Sequence, residues 1–194
     1  ATAALLTGGT LTQAKALLSP WTTLDTAPEL SQTDTKLGSV NAQHHLVAFV
    51  DLSSPVARQE LTALIDLYKT DSDYKVTLVP LATEKGRDLA TGLRCATESG
   101  QGEAFTFSIL RTPTKSPMDL AVASRLSAAS FKTCTERETL STQLKNRLSD
   151  AEDLGVAAPL GVLLESGEKW IQLSPKQAYR SQISKLTTAP IEDS

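Results

Sequence analysis

Two cysteines and two histidines in 194 residues leave little material for thiol or metal chemistry. Cys95 and Cys134 are too few for a disulfide-built scaffold, and they stand 39 positions apart rather than in a Cys-x-x-Cys pair. His44 and His45 are adjacent, so on a strand they point to opposite faces and cannot hold one ion together. Solvated strand-edge positions account for them, and neither a metal nor a cofactor is expected. Charge of one sign is also missing: 19 basic residues face 22 acidic ones, with no basic stripe, which argues against a nucleic-acid partner. No apolar run approaches the roughly 20 residues of a transmembrane segment. Ala1 to Gly9 is small and apolar but lacks the basic start of a signal peptide, which leaves the compartment open.

What is present is enough apolar residue, 40%, for one domain with a proper core. Thr10 to Leu18 is a short helix candidate stopped by Ser19-Pro20, and Trp21 to Leu24 a possible first strand. Asp25 to Asn41 reads as loop with room for an edge strand. Leu46 to Val50 is a strand, and Arg58 to Lys69 a helix with Leu61, Leu64, Ile65 and Tyr68 on one face. Tyr74 to Leu81 is the next strand, so strand, helix and strand imply a parallel pair with a right-handed crossover. From Glu84 to Leu148 the pattern is helical: Arg87 to Glu98, ended by Gly100 and Gly102, then Ala104 to Leu110, Pro117 to Leu126 and Ser130 to Leu148. Leu160 to Leu164 and Lys169 to Leu173 form a hairpin around Glu165-Ser-Gly167. Pro175 to Leu186 closes as a helix with Ala178, Tyr179, Ile183 and Leu186 inward and Ser174-Pro175 as its start. Trp21 and Trp170 read as packing residues.

The turn between the first firm strand and its helix reads Asp51-Leu-Ser-Ser-Pro-Val-Ala57. Ser54 followed by Pro55 is a helix start, with the serine as cap and the proline at the first helical position. This turn resembles that of the DsbA-like thiol-disulfide oxidoreductases, whose strand ends in Asp-aromatic-x-Cys-Pro-x-Cys. Their two cysteine positions are Ser54 and Ala57 here. Leu154-Gly-Val-Ala-Ala-Pro159 is similar to the family's Leu-Gly-Val-x-Gly-Thr-Pro element, in which the proline follows a cis bond and faces the active site. The segment is one residue shorter, and Ala158 stands where threonine is usual.

The resemblance covers residues 38–188 and implies an α/β thioredoxin-like fold with an inserted helical block at about 84–148. Residues 1–37 form an N-terminal extension and 189–194 a tail. The degenerate pair excludes dithiol exchange at the usual place. What remains is a periplasmic or otherwise extracytoplasmic module that binds a polypeptide in the groove around Ser54, Pro55, Val56, Ala158 and Pro159. Two enzymatic alternatives stay open. In one, an oxidoreductase had its cysteines at positions 54 and 57 replaced in the laboratory. In the other, a kappa-type glutathione transferase or isomerase uses Ser54. Cys95 and Cys134 are either two buried thiols or, as in some DsbA-like relatives at similar positions, a structural disulfide. Asp51 is either a buried proton acceptor or a solvated turn residue.

Overall fold

Alternation of apolar residues along the strands builds one mixed sheet, seen in a computed structural model that describes residues 21–156, 158–175 and 177–188. The helix expected at Thr10 to Leu18 and the tail 189–194 lie outside the described residues. The strands are β1 (Thr22–Leu24), β2 (Thr35–Gly38), β3 (His44–Val50), β4 (Tyr74–Pro80), β5 (Leu160–Ser166) and β6 (Lys169–Leu173), in the order β1-β6-β5-β3-β4-β2. β3 and β4 are parallel and joined through α1 (Pro55–Thr70), while every other neighbouring pair is antiparallel. The expected sheet is present, and residues 84–148 contribute no strand to it. The possible first strand and the edge strand of residues 21–41 supply its two edges.

The inserted block comprises α2 (Arg87–Glu98), α3 (Gly102–Arg111), α4 (Pro117–Ala123), α5 (Ala128–Thr135) and α6 (Glu138–Asp153); α7 (Tyr179–Thr188) ends the described chain. Leu46, Ala48 and Val50 of β3 face the larger core, shared with Leu61, Leu64 and Ile65 of α1, Ile183 of α7 and the inner faces of the inserted helices. Val47 and Phe49 face a smaller core, closed by Ala151 of α6, Val156, Leu163 and Trp170. Fully burying a side chain of this size contributes about 1.5–3 kcal/mol, so β3 is committed on both faces.

Five local expectations need correction. The helix expected from Ser130 to Leu148 is two helices, with Arg137 extended (φ −73°, ψ 120°) between them. Phe131 and Leu140 are nine positions apart, about 180° around one straight helix, yet both are buried. Only a break brings both into the same core. Gly102 begins α3 rather than ending α2, and Pro117 to Leu126 is helical only to Ala123. The last helix starts at Tyr179, not Pro175, and Ala178 is exposed. The buried Gln182 side chain donates to the Ser174 and Gln177 carbonyls and accepts from Ser174 N–H, fixing an irregular approach to the helix. Finally, the histidines are not at a sheet edge: β3 is flanked by β4 and β5. His44 and His45 do point to opposite faces, as alternation requires. The first stacks on Tyr74, while the second meets Trp170 edge-on.

Candidate functional site

β3 ends at Val50, and the chain must turn from the sheet into α1 within four residues. Asp51 makes that turn. Its Oδ1 accepts from Ser53 N–H (2.9 Å) and Ser53 Oγ (2.6 Å), an Asx-type loop, and its Oδ2 accepts from the Thr83 hydroxyl at 2.8 Å. Asp51 is therefore buried at 8% exposure, which corrects the solvated-turn alternative. Gly86 completes its enclosure, because a Cβ there would collide with Asp51 Oδ1. Arg58 reaches back from α1 to donate to the Leu52 and Ser53 carbonyls at 2.8 and 2.9 Å.

Ser54 is the N-cap, with extended backbone (φ −77°, ψ 124°), and its Oγ accepts from Ala57 N–H at 3.3 Å. Pro55 follows at the first helical position, where a missing N–H costs nothing. The position of the second family cysteine is inside the protein, for Ala57 is fully buried. Pro55 and Val56 are exposed, Val56 at 61%. Among the described residues no histidine or lysine hydrogen-bonds to Ser54.

The proline loop joins this turn through the backbone. Asp51 N–H donates to the Pro159 carbonyl at 2.8 Å, one residue beyond the Val50–Leu160 pairing of β3 with β5. The Ala158–Pro159 peptide is cis, and both residues are exposed. Ser54, Pro55 and Val56 at the start of α1 and Ala158 and Pro159 in the loop before β5 thus lie at the same end of the sheet, linked through the Asp51–Pro159 hydrogen bond. Thr83, Gly86 and Arg58 also hold the site and were not singled out from sequence. Arg58 follows from its place one turn into an N-capped helix, but no sequence signal links Thr83 to Asp51.

Cys95 and Cys134 are bonded to each other, joining α2 to α5 with Cα atoms 5.8 Å apart. Cys95 is buried and Cys134 half-buried; Arg137 donates to Cys134 Sγ and pairs with Glu98. The two free thiols of the other alternative are not found: all the chain's sulfur apart from its single methionine is in this bridge. No group of three His, Cys, Asp or Glu able to hold a metal occurs among the described residues. None of their helices is long and apolar enough to cross a membrane.

No protein-family model and no curated protein sequence matches the chain. Its architecture does match solved structures. DsbA2 of Pseudomonas aeruginosa superposes with a TM-score of 0.68 at 17% identity, covering 84% of this chain and 100% of that one. BdbD of Bacillus subtilis gives 0.66 at 15% over 82% and 92%, and a thioredoxin-like oxidoreductase of Silicibacter pomeroyi 0.66 at 15% over 82% and 95%. At such identities the likeness speaks for the fold. By architecture, then, the chain has a thioredoxin-like fold similar to that of these DsbA-like structures, with serine and alanine at positions 54 and 57.

Proposed function

We propose that the chain is a redox-inactive DsbA-like domain that binds an extended polypeptide segment in an extracytoplasmic compartment. The observation carrying the reading is the state of the turn at the start of α1: the Ser54 hydroxyl serves as a helix cap, Ala57 is buried, and no thiol is within the turn. Dithiol exchange needs an attacking thiolate and a resolving partner. A serine cap supplies neither. Beside it Pro55, Val56, Ala158 and Pro159 stay exposed, apolar and joined by the Asp51–Pro159 hydrogen bond. Such a rim suits recognition of an extended chain through backbone hydrogen bonds and shallow side-chain contacts. The Cys95–Cys134 bridge favours an oxidising compartment.

The test has two arms. The unmodified chain should neither reduce insulin nor oxidise a reduced peptide, and turnover in either assay refutes redox inactivity. Amide resonances of residues 51–58 and 158–160 should shift on titration with an extended peptide selected against the protein, and Val56→Asp should abolish that response. Selected peptides that bind equally well to Val56→Asp refute the groove. If Ser54→Cys with Ala57→Cys turns the folded protein into an oxidase, the scaffold retains the oxidoreductase's geometry. If that variant is inert, the groove has diverged from it.

A further inference from the structure

The sheet has a second concave feature on the face of the smaller core, at the opposite end from Ser54. α6 covers that face at Val47 and Phe49. Toward the start of β3 the face opens into a cavity of about 410 Å³, within the range of small-molecule sites. His45 lies five residues before Val50, about 16 Å along the strand, so the cavity is separate from the proposed peptide groove.

Its floor follows from register. His45 pairs with Lys75, Lys75 with Gly38, and Lys36 with Thr77, which places Lys36, Lys75, Thr77 and His45 on one face. Gly38 also lines the cavity, and its φ of +90° suits glycine. His45 is held in place: Nδ1 pairs with Glu165 Oε2 at 2.7 Å, and Nε2 is 2.8 Å from Thr77 Oγ1. Neither lysine has a salt bridge or hydrogen bond among the described residues. Lys36 feels the Asp34 carboxylate, but Arg94 and Arg147 already hold that group at 3.3 Å each. Two ammonium groups at one end of a cavity, without a carboxylate partner of their own, are complementary to an anion. The rim is of opposite character. Leu30 (37% exposed) and Val40 (84% exposed), two of the four large exposed apolar side chains among the described residues, both line the mouth.

We propose that this cavity binds a small amphiphilic carboxylate, with the anion between Lys36 and Lys75 beside Thr77, and the apolar tail against Leu30 and Val40. The probe is octanoate, titrated into the isotopically labelled full chain, with octylammonium, 1-octanol and acetate as charge and tail controls. Octanoate should shift amides of residues 36–40 and 75–77 and bind at least about tenfold more tightly than any control, since a charge-assisted hydrogen bond outweighs a neutral one by that margin. Lys36→Gln with Lys75→Gln should weaken it about tenfold or more while leaving 1-octanol unchanged. Val40→Asp, a substitution at an exposed position, should weaken octanoate by placing a like charge at the mouth. No binding, equal binding of octylammonium, unchanged affinity in the lysine double variant, or shifts confined to residues 51–58 and 158–160 would each overturn the assignment. A failure here leaves the peptide groove standing, because the two sites report through different amides.

Discussion

Breaking the Cys95–Cys134 bridge should lower stability by about 4 kcal/mol. The bridge closes a loop of 39 residues, and the chain-entropy treatment of such a loop gives about 13 cal/mol/K, or about 4 kcal/mol at 25 °C, by which the crosslink raises the free energy of the unfolded chain. For a domain of this size each kcal/mol moves the thermal midpoint by about 2–4 °C, so the expected fall is about 8–16 °C. Native-state contacts change little. Cys95 is buried in α2, but alanine removes one atom there, and the Arg137–Glu98 pair still links α2 to the start of α6. The assay is thermal unfolding followed by circular dichroism, for the oxidised chain, the chain in reductant, and Cys95→Ala with Cys134→Ala. The reduced chain and the double variant should unfold at nearly the same temperature, well below the oxidised protein, and reductant should not affect the variant. Two results refute the reasoning: a midpoint unmoved by reductant, or alkylation of both cysteines in the native protein before any reduction.

Other perturbations follow from the same contacts. Burial raises the Asp34 carboxyl above its ordinary value and lowers the Arg94 guanidinium, so desolvation works against the pair that joins the β2 approach to α2. Asp34→Ala removes the carboxylate that Arg94 and Arg147 share, leaving Arg94 only the 3.8 Å contact with Glu98, and should cost about 3–5 kcal/mol in urea unfolding, part of which Arg94→Met should restore. Gly86→Ala pushes a methyl against Asp51 Oδ1 and should destabilise by about 1–3 kcal/mol, whereas Gly100→Ala, with open space around it, should show only the backbone penalty of its positive φ. Leu61→Ala should cost about 2–5 kcal/mol, since the side chain is fully buried between α1 and the sheet. All three tyrosines, Tyr68, Tyr74 and Tyr179, have phenol pKa values raised above 10, first by burial and, for Tyr179, then by the hydrogen bond to Glu60. A raised folded value means stability is fully present below the unfolded value near 10 and is lost as pH climbs through the folded values. Absorbance at 295 nm should therefore show little tyrosinate at pH 10 in the native chain and about half ionisation in urea, and native titration at the ordinary value would contradict the burial.

Most of the sheet was legible because its strands are short, β-branched and bounded by turn chemistry. Leu46 to Val50 and Tyr74 to Leu81 needed only an amphipathic helix between them to declare a parallel pair. The elements misread were those whose ends depend on distant partners. Nothing local in Thr133 to Arg137 announces a break; it follows from Phe131 and Leu140 sharing one core and from Arg137 reaching Glu98. The Gln182 clamp on Ser174 likewise displaces a helix start that Ser-Pro would otherwise mark. At the candidate site, the Ser54 cap and its proline are local and were visible. The burial of Asp51 was not decidable, because it rests on Thr83 and Gly86, more than 30 positions away. His45 was misplaced for the same reason: whether a strand is interior or edge is a property of the sheet, not of the strand.

Every contact that shapes the turn at the start of α1 is made without sulfur. Asp51 binds Ser53 and Thr83, Arg58 binds the Leu52 and Ser53 carbonyls, Asp51 N–H binds Pro159, and the Ser54 hydroxyl binds Ala57 N–H. A serine cap contributes about 1 kcal/mol at such a position. On the proposed reading, serine and alanine at positions 54 and 57 leave out the exchange chemistry while all of these contacts remain. The same contacts hold the proline loop against the strand end, so the proposed groove does not depend on a thiol. Under the proposed function, recognition at this end of the sheet would rest on the exposed faces of Pro55, Val56, Ala158 and Pro159.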